Sequence, residues 1–212
     1  MSKMRIVFYC SDKRFVDFEI DMIDSLHDPG VIINMDHILN EIEKVLDAGL
    51  YIVALQSTLT LPGICAALES KKGNTDGKDK KMYENWYMRN VKPYVSWLFT
   101  AEDCYRYRCS LVHQASAHLR GGKPRKEYAR FMSVYPCSGI KIDNCSFKCI
   151  GQENSDGYVV DIPTFCMTII KCVRLWENKV KDTPNFKRNY KALLNIHPDG
   201  IPPFITGVKV IG

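Results

Sequence analysis

Leu50 to Leu59 is nearly all apolar, and a run of that kind has to be sheltered from water. A membrane span needs roughly 18 uninterrupted apolar residues, and no stretch of this sequence reaches that length. The run is therefore expected inside a protein core. Length alone does not separate a buried helix from a buried strand. Helix is favoured because Thr60-Leu61-Pro62 then reads as a clean start for a second helix through Ile64, Leu68 and Glu69. Proline is well tolerated in a first turn.

At 212 residues the chain is long enough for one well-cored domain. Its 25% charged and 46% apolar residues are ordinary for a globular protein. The net charge of +5 permits an anionic partner without requiring one. The start, MSKMRIVFYCSDKRF, meets charge too early for a signal peptide. Nine cysteines, an odd number without a secretory signal, point to reduced thiols in a cytosol. None has C-x-x-C spacing; Cys104/Cys109, Cys145/Cys149 and Cys166/Cys172 come nearest, with too few histidines beside them for a metal site. No metal, cofactor or membrane partner is expected, and most thiols read as small core residues.

Residues 4–10 and 15–23 read as short strands, the second alternating apolar with acidic positions. A helix follows from Asn34, with Met35, Leu39, Ile42, Val45 and Leu46 on one face, Asn34 or Asp36 as cap, and Gly49 near its end. The polar stretch 70–81 is a loop. Met82 to Val91 is an aromatic helix that stops or kinks near Pro93. Two runs, FMSVY and IKIDNCSFKCI, form a plausible hairpin across Pro136-Cys137-Ser138-Gly139, and Asn154-Ser155-Asp156-Gly157 is a turn. Asp161-Ile162-Pro163 opens an amphipathic helix to about Val180, burying Phe165, Ile169, Cys172, Val173 and Trp176. A short helix around 186–194 precedes a proline-rich tail in which His197 sits in a turn. The expectation is one domain over 1–212, mainly α (α+β). Its helical core covers about 34–120, and a β-hairpin, C-terminal helix and tail cover about 130–212.

The chemistry concentrates in Thr100 to Gly122, TAEDCYRYRCSLVHQASAHLRGG. Thr100 and Asp103 make a capping-box pattern, and Gly121-Gly122 is a helix stop. Unrolled at about 100° per residue, Cys104, Tyr105, Leu111, Val112, Ala115 and Leu119 form a broad apolar arc. Arg106, Ser110, His113 and Ala117 fall opposite. Arg108 falls within the arc, where a guanidinium needs a carboxylate, a phosphate or a route to water. Four residues separate Arg108 from His113, and six separate Arg106 from it. Downstream, RGGKPRKEYAR at 120–130 carries five basic residues against one Glu.

An Arg-x(4–6)-His spacing on a helix resembles the signature of the HEPN superfamily, over Arg108 to His113 and more loosely over the helices from about Asn34 to Arg120. The patterns LPGICAALES, AEDCYRYRCSLVHQ and PDGIPPFI also resemble those of a family of uncharacterised bacterial proteins. The HEPN resemblance implies a helical bundle, usually dimeric, whose catalytic members are metal-independent endoribonucleases. Arg108 and His113 would then be catalytic. His113 would exchange a proton with the ribose 2′-hydroxyl, and Arg108 would neutralise the phosphate as charge builds. Arg106, Ser110 and Glu69, with Lys123, Arg125 and Lys126 in the basic loop, would support it or steer the RNA. A toxin or defence role, a homodimer and an antitoxin or regulatory partner belong to the same implication. Many catalytic members have a polar residue right after the arginine, where this chain has Cys109.

The structural alternative pairs Arg108 with a carboxylate such as Glu69 and leaves His113 on the surface of a non-catalytic module that binds nucleic acid or a protein. Trp86, Trp97 and Trp176 read as packing aromatics, and the lysines at 71–81 as a solvated loop. Ser110 with His113 lacks an oxyanion or orienting element, so a serine hydrolase is disfavoured.

Overall fold

A computed structural model describes residues 3–9, 15–21, 35–96, 100–116, 130–134, 145–147 and 157–212. Two compact units emerge, Met1–Ile33 with Ala192–Gly212, and Asn34–Lys191. The fold is mainly helical with small sheets, as the periodicities predict.

In the first unit, β1 (Lys3–Tyr9) and β2 (Phe15–Asp21) pair antiparallel from Lys3↔Asp21 to Tyr9↔Phe15. The tail, expected only to be proline-rich, contains two short antiparallel ladders. Ile196–His197 pairs with Val210–Ile211, and Gly200–Ile201 pairs with Ile205–Thr206. His197 therefore lies in a ladder, its Nε2 3.3 Å from the Gly212 carbonyl oxygen.

The second unit is built on one helix. The apolar run begins at the cap residue Leu50 and continues in α2 (Tyr51–Glu69), which packs against α1 (Asp36–Asp47), α3 (Asp79–Asn90), α4 (Ala101–Gln114), α5 (Ile162–Val180) and α6 (Pro184–Tyr190). The run is not sheltered throughout as expected: Leu50, Ile52 and Val53 are exposed, and burial starts at Ala54 and Leu55. The expected break at Thr60-Leu61-Pro62 does not occur. Pro62 lies inside α2 and is buried, so packing on several sides outweighs one missing backbone hydrogen bond. Without that break α2 is 19 residues long with a mean hydropathy of 1.5, enough by length and composition alone to cross a membrane, yet half of it is buried among its neighbours.

The α1 helix differs from expectation at its start. Met35 occupies the cap position without a side-chain cap, and its N–H donates to Glu177 Oε1 on α5 at 2.7 Å. Asp36 is already helical and Asn34 lies outside the described residues, so the cap comes from across the bundle. Gly49, at φ +73°, turns the chain into α2. Arg174 on α5 completes the seam, reaching Glu43 at 2.7 Å, Asn40 at 3.0 Å and Asp36 at 3.4 Å.

The α5 helix buries Phe165, Ile169, Cys172, Val173 and Trp176 as its periodicity predicts, and Asp161 caps it by accepting the Thr164 N–H at 3.0 Å. Trp176 makes edge contacts with Trp86 on α3 and Phe186 on α6, each at 5.7 Å, so two of the three tryptophans are core residues. Trp97 lies outside the described residues. The α3 helix begins at Asp79, three residues before Met82, with its acidic first residue held by the Thr75 hydroxyl. The 3-10 turn Lys92–Tyr94 follows, at the expected proline. The α6 helix begins earlier than expected because Thr183 caps it, accepting the Phe186 N–H at 3.3 Å, and it ends at Tyr190.

The β element of this unit is not the expected hairpin. β3 (Arg130–Val134) and β4 (Cys145–Phe147) do not pair with each other. β5 (Gly157–Asp161) lies between them, parallel to β3 and antiparallel to β4. Residues 136–139 and 154–156 lie outside the described residues. GYVVD is short and runs directly into α5, which hid it as a strand.

Candidate functional site on helix α4

The start of α4 follows its sequence. The Thr100 Oγ1 accepts the Asp103 N–H at 3.2 Å, and the Thr100 N–H donates to Asp103 Oδ2 at 2.9 Å. The end does not. The helix stops at Gln114, where Ala115 adopts a left-handed φ of +49° and its N–H donates to the Leu111 carbonyl. Gly121-Gly122, Ala117, Leu119 and the basic loop with Lys123, Arg125 and Lys126 lie outside the described residues. His113 is thus in the last turn, exposed.

The buried face of α4 overturns the apolar-arc assignment. Asp103, Cys104, Arg106, Tyr107 and Ser110 are buried, whereas Tyr105, Arg108, Leu111 and Val112 are half-buried. Positions 103, 106, 107 and 110 form one stripe at helical spacing, and α4 packs through contacts with α2 and α3. Hydropathy sorted Arg106 and Ser110 outward; the neighbouring helices draw them in.

The two arginines therefore exchange parts. Arg106 is only 8% exposed, and its Nε and Nη2 have no hydrogen-bond partner among the described residues. Arg108 is the more accessible of the two, with Nη1 3.8 Å from Cys109 Sγ. No described carboxylate pairs with Arg108. Glu69, offered above as its partner, is engaged elsewhere. It takes the Arg89 guanidinium on one oxygen and the Trp176 indole N–H at 2.9 Å on the other.

Helix geometry then decides which pair shares a face. Arg106 and His113 are seven positions apart, which leaves them about 20° from alignment and about 10.5 Å apart along the axis. Arg108 and His113 are five apart, which places them about 140° apart around the helix. The hydroxyl of Ser110 belongs to the buried stripe, and His113 is exposed.

Thiols and phenols nearby are held in their neutral forms. Burial pushes the Cys104 thiol and the Tyr83 phenol well up, and raises Tyr105, where Cys109 adds to the effect. Cys65, Cys104, Cys166 and Cys172 are buried, and desolvation lifts Cys172 to about 11. They act as small apolar side chains. Among the described residues no group of three His, Cys, Asp or Glu could hold a metal ion. No protein-family model matches the chain, and no curated protein or solved structure matches it.

Proposed function

We propose that the protein is a HEPN-like, metal-independent endoribonuclease of the cytosol, acting as a homodimer in a toxin or defence role, with its phosphate-binding group moved from Arg108 to Arg106. The observation that carries this reading is the buried guanidinium of Arg106, whose Nε and Nη2 have no hydrogen-bond partner among the described residues, on the same side of α4 as the exposed His113. An isolated buried cation is costly, so the position makes physical sense when an anion joins it. A guanidinium offers a phosphate two parallel donors and strengthens as negative charge accumulates on the phosphorane oxygens.

In this scheme His113 removes the proton from the ribose 2′-hydroxyl and O2′ attacks the adjacent phosphorus. The bond to the 5′-oxygen breaks, that oxygen takes a proton from solvent water, and the protonated His113 returns its own proton to the solvent. The products are a 2′,3′-cyclic phosphate and a 5′-hydroxyl. Arg108 stays on the half-buried side with Tyr105 and Cys109 and supports the helix.

Cleavage of total RNA in EDTA tests it. Folded wild type should produce cyclic-phosphate ends, and His113→Ala and Arg106→Gln should each lose about 100-fold or more, the usual scale for a proton-transfer group or an oxyanion donor. Undiminished cleavage by a variant carrying both His113→Ala and Arg106→Gln would sink the reading, and no cleavage by wild type would favour a binding module.

A further inference from the structure

A cluster of basic residues lies where α6 closes the C-terminus of α2. Asn189 is buried, and its side-chain amide donates to the Leu68 carbonyl at 2.8 Å and the Ser70 carbonyl at 2.7 Å. Arg188 reaches the Lys71 carbonyl and, at 3.4 Å, that of Ser70. Asn185 donates to the Glu69 carbonyl at 3.3 Å. Gly73 approaches so closely that an added Cβ would lie 2.8 Å from Asn189 Oδ1. The first residues after α2 and the exposed face of α6 are thereby fixed together as one surface.

That surface collects Lys71, Lys72, Arg89, Lys187, Arg188 and Lys191, all exposed. Three have a carboxylate partner: Lys72 with Asp76, Arg89 with Glu69, and Lys187 with Asp182. Lys71, Arg188 and Lys191 have none among the described residues. Cations near a helix C-terminus offset its partial negative charge, but Arg188 and Asn189 already satisfy the carbonyls there. The remaining charge is surplus to capping. Exposed ion pairs are weak enough for phosphates to displace, and a surface fixed in advance loses little entropy when a ligand binds.

We infer that this α2–α6 corner is a docking surface for the sugar–phosphate backbone of RNA, formed by residues other than those of the α4 site. RNA as the polyanion rests on the ribonuclease reading; the charge and rigidity of the surface do not. Contacts of this type are sequence-independent and salt-sensitive.

Fluorescence anisotropy with a labelled single-stranded 2′-O-methyl RNA 20-mer, which lacks the attacking hydroxyl, tests it, comparing wild type, a Lys71→Glu/Lys187→Glu/Lys191→Glu variant and its Lys→Gln counterpart, each checked by thermal melt. The Lys→Glu variant should bind about tenfold more weakly at about 100 mM salt. The Lys→Gln variant should lower the slope of log affinity against log salt by about 2, three contacts at roughly 0.7 each. Equal affinity of wild type and both lysine variants overturns the inference, as does capture of an acidic protein or heparin without RNA. Cleavage measured in parallel separates the two ideas. Binding lost with the lysines while no protein cleaves leaves the surface standing and the ribonuclease fallen, and unchanged binding with active cleavage does the reverse.

Discussion

Arg174 and Arg106 lie on helices of the same bundle and are treated in opposite ways. At the α1–α5 seam Arg174 is partly exposed, its guanidinium shared among Asp36, Asn40 and Glu43. On α4, Arg106 is more deeply buried, and its Nε and Nη2 make no hydrogen bond to any described residue. A cation that serves architecture comes with its counter-ions, because architecture must be complete when the chain folds. A cation left alone in the interior is explained by a group that arrives later.

The contrast can be broken most severely at the seams. Asn189→Ala should lower unfolding free energy in urea by about 2–3 kcal/mol, since it strands the buried Leu68 carbonyl and removes a bond to that of Ser70 at the end of α2. Arg106→Met should go the other way and raise stability by about 1–2 kcal/mol, because it removes a buried charge with two unsatisfied nitrogens and keeps the volume. A loss of that size instead would make Arg106 structural and erase the contrast. Arg174→Met has the smallest effect, about 0.5–1 kcal/mol, since solvent screens a guanidinium more than a third exposed. Its pH dependence has a definite sign. The hydrogen bond from Arg174 holds the Glu43 carboxyl below its ordinary value of 4.5, so the stabilisation is present above that value and fades as pH falls through the lowered one. Melts of wild type and Arg174→Met should differ at neutral pH and converge in acid.

Local rules were legible in the sequence where the chemistry is local. The Thr100/Asp103 box and the Asp161 cap involve residues three positions apart. The α5 stripe shows as periodicity because one side meets the bundle and the other does not. Where neighbours decide, the sequence was opaque. Nothing around Met35 announces that Glu177, 142 positions on, caps it. Pro62 looks like a boundary until several helices surround it. The inner face of α4 was misassigned because polarity counts Arg106 and Ser110 as surface residues, and burial depends on what α2 and α3 place against them. The interposed β5 is likewise a matter of long-range register. The alignment of Arg106 with His113 was available from spacing; the depth of Arg106 was not.

The Asn189 clasp also sets an order of events. It closes carbonyls 121 and 119 positions earlier in the chain, so α2 emerges from synthesis long before the residue that finishes it. Contacts of such separation slow folding, and an apolar helix waiting for its cover is prone to self-association. A nascent chain shorter than about 190 residues holds α2 without its final clasp. The bundle's central helix is among the first to be made and the last to be completed.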